Sequence, residues 1–261
     1  RIHLMSHSTE HNSRPEQSAT LFIAASETDS NLYYATRFIA PDPFIYLEVK
    51  GERLMVMSDL EVDRARNQAT VDRVLSYSEL ERRAKSQGVK DPGTIDVIHL
   101  VLQAAGPKEM LVTPTFPFLH ASRLQEMGYR LRTKRDPFYE QRVMKSDDEV
   151  RHIEAAQRAT ETAVAAAHQH LRRAEIRDNV LWLDGEILTS ERVKKLINVA
   201  LMECDCVAQH TIVAGGEQAC DPHDEGSGPL PAHRSIIFDV FPRSAETRYF
   251  ADMSRTAVRG T

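Results

Sequence analysis

The chain has 261 residues, enough for one large domain or two ordinary ones, and its 41% hydrophobic and 27% charged content is ordinary for a globular protein. A net charge of -5 argues against a general nucleic-acid binder, which carries a basic excess, and no apolar run approaches the roughly 18 residues that a membrane span needs. Three cysteines are an odd number and too few for a disulfide framework, which points to a reducing, cytoplasmic setting.

Residues 1–18 are polar and carry His3, His7 and His11 at four-residue spacing. On a helix those rings would line one face and could bind metal; the neighbouring Ser, Asn, Arg and Pro favour a disordered head instead. The segment has no apolar core of the kind that marks a signal peptide. From Thr20 onward, short β-prone runs alternate with helical ones. Residues 21–25 read as a buried strand, and 44–49 with 53–57 as a hairpin around Lys50-Gly51-Glu52. A helix is predicted over 94–105, stopped by Gly106-Pro107; then a strand over 109–113, a helix over 118–127 closed by Gly128, and a strand over 129–133. Such alternation implies a mixed or mainly parallel sheet covered by helices over residues 19–135. The charged turn Lys134-Arg135-Asp136-Pro137 marks the boundary with a second region, 136–261.

That region opens on a long helix capped by Ser146 or Asp147, with Glu149 or Val150 in its first turn. Val150, Ile153, Ala156, Ala159, Ala163, Val164, Ala167 and Leu171 follow a three-four rhythm and should face a sheet or another helix. His168 and His170 are two apart, so they point to different faces and read as solvated or dipole-complementing groups. Thr189-Ser190-Glu191 opens a further helix, running to about residue 204, with Val193, Leu196, Ile197 and Ala200 inward. Cys204-Asp205-Cys206 reads as a helix terminus with small buried thiols, a soft-metal site or a strained redox bridge being the alternatives. Cys220 lies three residues before His223, a spacing compatible with zinc.

The richest stretch is Ser235-Ile236-Ile237-Phe238-Asp239-Val240-Phe241-Pro242-Arg243, followed by Arg248-Tyr249-Phe250-Ala251-Asp252-Met253-Ser254-Arg255-Thr256. Each β-prone run delivers one aspartate: Asp239 shares a face with Ile237, and Asp252 with Phe250 and Ser254. Antiparallel pairing would bring two carboxylates together on one face of a sheet. Like charges opposite one another destabilise a strand pair, and burial raises a carboxyl pKa unless a cation intervenes. The hairpin therefore reads as half of a metal site; the plainer reading is one aspartate in a turn and one capping an exposed strand end.

Those two runs closely resemble the metal-binding hairpin of the pita-bread metallopeptidases, the family of aminopeptidase P, proline dipeptidase, methionine aminopeptidase and creatinase. Looser similarities lie upstream: Thr211-Ile212-Val213-Ala214-Gly215-Gly216 with Pro222-His223, and Arg142-Val143-Met144-Lys145-Ser146 with Glu149 and Ile153. Leu32-Tyr33-Tyr34-Ala35-Thr36-Arg37-Phe38 and Ser58-Asp59-Leu60-Glu61 look like the N-terminal domain of the creatinase and prolidase branches. The Asp-to-Asp spacing is longer here than the family's common pattern.

The resemblance implies an α/β (α+β) fold, with a creatinase-type N-terminal mixed-sheet domain followed by the first half of a pita-bread catalytic domain. It implies a metal-dependent Xaa-Pro aminopeptidase or dipeptidase using two divalent ions, manganese first, with cobalt or zinc as alternatives. Asp239 would be a terminal metal ligand and Asp252 a bridging one. His223 would contact the substrate or its intermediate, and Arg255 and Thr256 would support Asp252 from behind; for Arg255 a structural ion pair is the alternative. The substrate would be a peptide with proline after the scissile bond, and the protein a homodimer with no nucleic-acid or membrane partner. The family's ligand order is Asp, Asp, His, Glu, Glu, whereas only nine residues follow Asp252 and none is His or Glu. The expectation is thus a fragment ending inside its catalytic domain and inactive alone. The other readings left open are a non-catalytic pita-bread protein that binds a peptide or protein, and a creatinase-like amidinohydrolase acting on a small guanidino compound.

Overall fold

A computed structural model describes residues 18–261, so His3, His7 and His11 lie outside the described residues. The chain divides into two compact units, the first running through Val143 and the second spanning Met144–Thr261.

In the first unit β1 (Ser18–Ala24), α1 (Ser30–Thr36), β2 (Phe44–Val49), β3 (Glu52–Met57), α2 (Val62–Gln68), β4 (Arg73–Ser76) and α3 (Tyr77–Ser86) come first. They are followed by α4 (Thr94–Ala105), β5 (Glu109–Val112), α5 (Phe118–Glu126) and β6 (Arg130–Thr133). The strands form one six-stranded sheet in the order β4-β3-β2-β1-β5-β6. β2 runs antiparallel to both its neighbours and the other pairings are parallel, so the sheet is mixed, one of the two arrangements the alternating pattern implies. Lys50 (φ 51) and Gly51 (φ 85) both take positive φ in the β2–β3 turn, the backbone a tight two-residue hairpin requires.

Strand alternation sends neighbours to opposite cores. Leu21, Ile45, Leu47 and Val56 join Val97, Ile98 and Val101 of α4 on one side. Phe22, Tyr46, Met55 and Met57 meet Leu32 of α1 and Val62 of α2 on the other. The unit is thus a helix–sheet–helix sandwich. α1, α2, β4 and α3 have no counterpart among the sequence-predicted elements. α1 and α2 span seven residues each, and helices that short draw their stability from packing rather than from a readable period. Phe138 and Tyr139 belong to the aromatic cluster of this unit, with the Phe138 ring 4.9 Å from that of Phe22. The unit therefore extends past the Lys134–Pro137 turn to Val143.

The second unit begins with α6 (Asp147–Arg173), followed by β7 (Glu175–Arg177), β8 (Val180–Leu183), β9 (Glu186–Ile187), α7 (Ser190–Met202) and β10 (Cys206–Val207). Its last strands are β11 (Ile212–Gly215), β12 (Ser235–Val240), β13 (Arg243–Ser244) and β14 (Met253–Val258). Ser146 caps α6 in a reciprocal box: its hydroxyl accepts from Glu149 N–H, and Glu149 Oε2 accepts from Ser146 N–H. Ala159, Ala163, Val164, Ala167 and Leu171 then pack against Val193 and Ile197 of α7 and Phe238 of β12. Val150 does not join them and is 42% exposed. In that first turn it is Glu149, one position earlier, that turns inward.

His168 departs from the solvated role expected for it. Its ring is half-buried and lies edge-on to Phe238 at 5.2 Å, and its Nε2 has no hydrogen-bond partner. Of the cysteine pair only Cys206 is buried, and Cys204, Cys206 and Cys220 are all free thiols. Among the described residues no helix is long and apolar enough to cross a membrane.

Candidate metal centre

The two aspartates come from the sheet β11-β12-β14, in which both pairings are antiparallel. Along β12, Ile236, Phe238 and Val240 are buried in the core while Ile237 and Asp239 turn to the other face. The register pairs Asp239 with Ser254, Val240 with Met253 and Ile237 with Thr256. Asp252 immediately precedes β14, and alternation through buried Met253 puts it on the same side as Ser254.

The carboxylates are therefore not directly opposite one another. They are diagonal neighbours, a relation that spans about 7–8 Å in an antiparallel pair and remains within reach of side chains. The position facing Asp239 belongs to Ser254, whose Oγ donates to Asp239 Oδ1 at 2.6 Å. This arrangement spares the sheet two like charges at one rung and orients one carboxylate oxygen.

The second strand is shorter than its apolar run suggests. β14 starts at Met253; upstream of it, residues 243–250 form a separate turn in which Ser244 N–H donates to Tyr249 O at 2.9 Å and Arg243 bridges Phe250. Phe250 is 60% exposed. The Tyr249 hydroxyl donates to Glu149 Oε1 at 2.7 Å, and the His152 ring lies 5.5 Å from that of Tyr249. Glu149 is 6% exposed, so a nearly buried carboxylate ties the start of α6 to the segment that leads into Asp252. Sequence reading placed Glu149 in the first turn of the helix; nothing in its spacing from Tyr249 signals this contact.

Thr256 shares the Asp239 face, opposite Ile237. Arg255 pairs with Phe238 and so belongs to the opposite side of the ladder from Asp252. Its Nη1 donates to the Ser254 carbonyl at 2.8 Å. Its charge, after burial and together with that of Arg172, holds the His168 pKa below its ordinary value.

His223 follows a single 3-10 turn, Gly216–Cys220, and is exposed, its N–H donating to Asp221 Oδ1 at 2.9 Å. The loop around it is pinned to the rest of the unit. Val213 N–H donates to Glu225 O at 3.1 Å, Lys194 Nζ to Gly226 O at 2.9 Å, and Gly228 N–H to Glu191 Oε1 at 3.0 Å. Gly226 (φ +77) packs so closely on β11 that an added Cβ would lie 2.0 Å from the Val213 carbonyl oxygen. Nearby, His210 Nδ1 and Glu225 Oε1 lie 2.7 Å apart, a pair that sequence reading passed over.

Among the described residues, no group of three or more His, Cys, Asp and Glu gathers tightly enough to hold a metal ion. Asp239, on the sheet face, and exposed Asp252 form a hard, anionic donor pair that suits a divalent cation but does not enclose one.

The fold as a whole is that of the creatinase-type pita-bread proteins. The chain is similar to the X-Pro aminopeptidase of Thermotoga maritima (TM-score 0.72, 17% identity, covering 94% of this chain and 63% of that one). It is similar also to a Xaa-Pro dipeptidase of Bacillus anthracis (TM-score 0.74, 14% identity, 94% and 61%) and to the prolidase of Pyrococcus furiosus (0.68, 16%, 94% and 63%). The chain thus spans less than two thirds of the length of these proteins. No curated protein sequence matches it. Residues 151–261 match the family model of metallopeptidase family M24. That match lies wholly within the second unit, and proteins of that family generally use divalent metals.

Proposed function

We propose that the chain is the N-terminal part of a metal-dependent Xaa-Pro peptidase of the aminopeptidase P or proline dipeptidase type. The observation that carries this reading is the placement of Asp239 and Asp252 as diagonal neighbours on one sheet face, with the Ser254 hydroxyl on Asp239. Asp239 and Asp252 would hold divalent metal, manganese before cobalt or zinc. Such a metal supplies an activated water and polarises the scissile carbonyl. Ser254 keeps one Asp239 oxygen oriented and leaves the other for the cation. His223, on its pinned loop, hydrogen-bonds the peptide or its tetrahedral intermediate, and the residue after the scissile bond is proline. A homodimer and a cytoplasmic setting belong to the same reading.

The described donor set is two carboxylates, so the 261-residue chain should bind Mn(II) weakly, with a Kd on the order of 1 mM, and cleave Xaa-Pro peptides negligibly. Manganese EPR titration and a proline-release assay test both statements; robust Mn-stimulated turnover by this chain would overturn the second. In the protein expressed from its natural reading frame, Asp252→Asn should abolish Xaa-Pro hydrolysis while leaving Tm nearly unchanged, because Asp252 is exposed. Wild-type turnover by that variant would remove Asp252 from the site.

A further inference from the structure

The second unit holds a cavity of about 300 Å³ between the end of α6, β8 and α7, formed by groups the proposed chemistry does not use. The volume stands at the lower bound of ligand pockets, roughly 300–1,000 Å³. At about 30 Å³ per water-sized volume it has room for a chain of about ten heavy atoms.

One stripe of α7 builds most of its wall. Arg192, Lys195, Leu196 and Val199 recur at i, i+3, i+4 and i+7, the spacing of a single helix face. Leu183 and Leu188, both buried, complete an apolar floor. The polar groups at the rim are basic: Arg192, Lys195 and His170 line the cavity and no acidic side chain does.

These cations differ in how far they are already engaged. Arg192 Nη1 donates to the Ile187 carbonyl at 2.7 Å, which fixes its position, and lies 3.6 Å from Glu186, whose exposed carboxylate offsets part of its charge. His170 Nδ1 lies 2.9 Å from the Ala166 carbonyl, an acceptor, so Nδ1 carries the proton and Nε2 is left for another partner. The Lys195 ammonium makes no hydrogen bond or ion pair among the described residues. An apolar floor beneath a surplus of positive charge complements one ligand chemistry, an anionic head on an aliphatic tail.

We propose that this cavity binds a free medium-chain monocarboxylate. The carboxylate sits between Lys195 and Arg192, and the alkyl tail lies on Leu183, Leu188 and Leu196. The probe is octanoate, which has ten heavy atoms, kept below its micelle concentration and titrated into the 261-residue protein. Binding is read by amide NMR shifts and calorimetry, with 1-octanol as the uncharged control.

Octanoate should saturate a single site whose shifts concentrate in residues 181–199, and 1-octanol should bind at least tenfold more weakly. Lys195→Gln, at an exposed helix position that leaves the fold intact, should weaken octanoate at least fivefold and octanol less than twofold. Leu196→Asp should weaken both. Shifts mapping elsewhere, octanol matching octanoate, or an unaffected Lys195→Gln variant would each overturn the proposal. A short acidic, leucine-containing peptide binding more than tenfold tighter than octanoate would overturn it too, assigning the cavity to a protein segment instead.

Discussion

Ser254 faces Asp239 directly across the β12–β14 ladder and donates its hydroxyl proton to Asp239 Oδ1 at 2.6 Å. The pair sits on the exposed side of the sheet, so the bond orients a carboxylate rather than stabilising a core. Ser254→Ala should therefore change stability by less than about 1 kcal/mol, within the range of a single exposed hydrogen bond. Mn(II) affinity should fall about tenfold, the lower end for removing a partner of a metal ligand. Paired urea melts and manganese titrations separate the two effects, and an unchanged affinity would reduce Ser254 to a spacer.

The Tyr249–Glu149 bond joins segments a hundred positions apart and involves a carboxylate that is nearly out of water. Tyr249→Phe keeps the ring against His152 and removes the hydroxyl. The expected cost is about 1.5–3 kcal/mol, the range for a hydrogen bond to a charged group. Urea denaturation measures it, and a loss below 0.5 kcal/mol or so would mean that Glu149 is satisfied without the Tyr249 hydroxyl.

Gly226 combines a positive φ with backbone contact on β11, so no rotamer change can relieve a substitution there. Gly226→Ala should cost about 2–4 kcal/mol, from strain and overpacking together. Because the same residue's carbonyl accepts from Lys194, the His223 loop should also loosen. Faster amide exchange over residues 221–228 checks this, and a fully stable variant with unchanged exchange would contradict it.

Two groups of the second unit contribute to the acid limb of stability. Donation by the Gly228 N–H, more than any other contact, holds the Glu191 pKa below its ordinary 4.5. A carboxyl more acidic when folded adds stability that is present above 4.5 and is lost as pH falls through the folded value. His168 is held below 6.5, by burial first and then by Arg172 and Arg255. Between its folded value and 6.5 the unfolded chain binds that proton more readily, so stability declines as pH falls below 6.5 until the folded ring is protonated as well. Urea midpoints measured across pH should show both limbs. His168→Gln should flatten the upper one and Glu191→Gln the lower; a variant curve parallel to wild type would exclude its group.

Much of the architecture is legible in the residues. The Lys50-Gly51 turn can only be a tight reversal, Ser146 with Glu149 announces the start of α6, and Gly106 ends α4 at φ 84. The short α1 and α2 are not legible, because the contacts that hold them come from distant strands rather than from their own periodicity.

By itself the sequence determined a helix-covered sheet, the long helix and two β-prone runs that each deliver an aspartate, since those follow from local period, caps and turn residues. Only the tertiary structure decided which residues meet. It set the register that places Ser254, not Asp252, opposite Asp239, and it turned Arg255 to the His168 side of the sheet. It also brought Tyr249 to Glu149 and folded the His223 loop onto β11. The physical reason is that a strand's side-chain period is two, so pairing at a different rung changes every partner while leaving local propensity untouched.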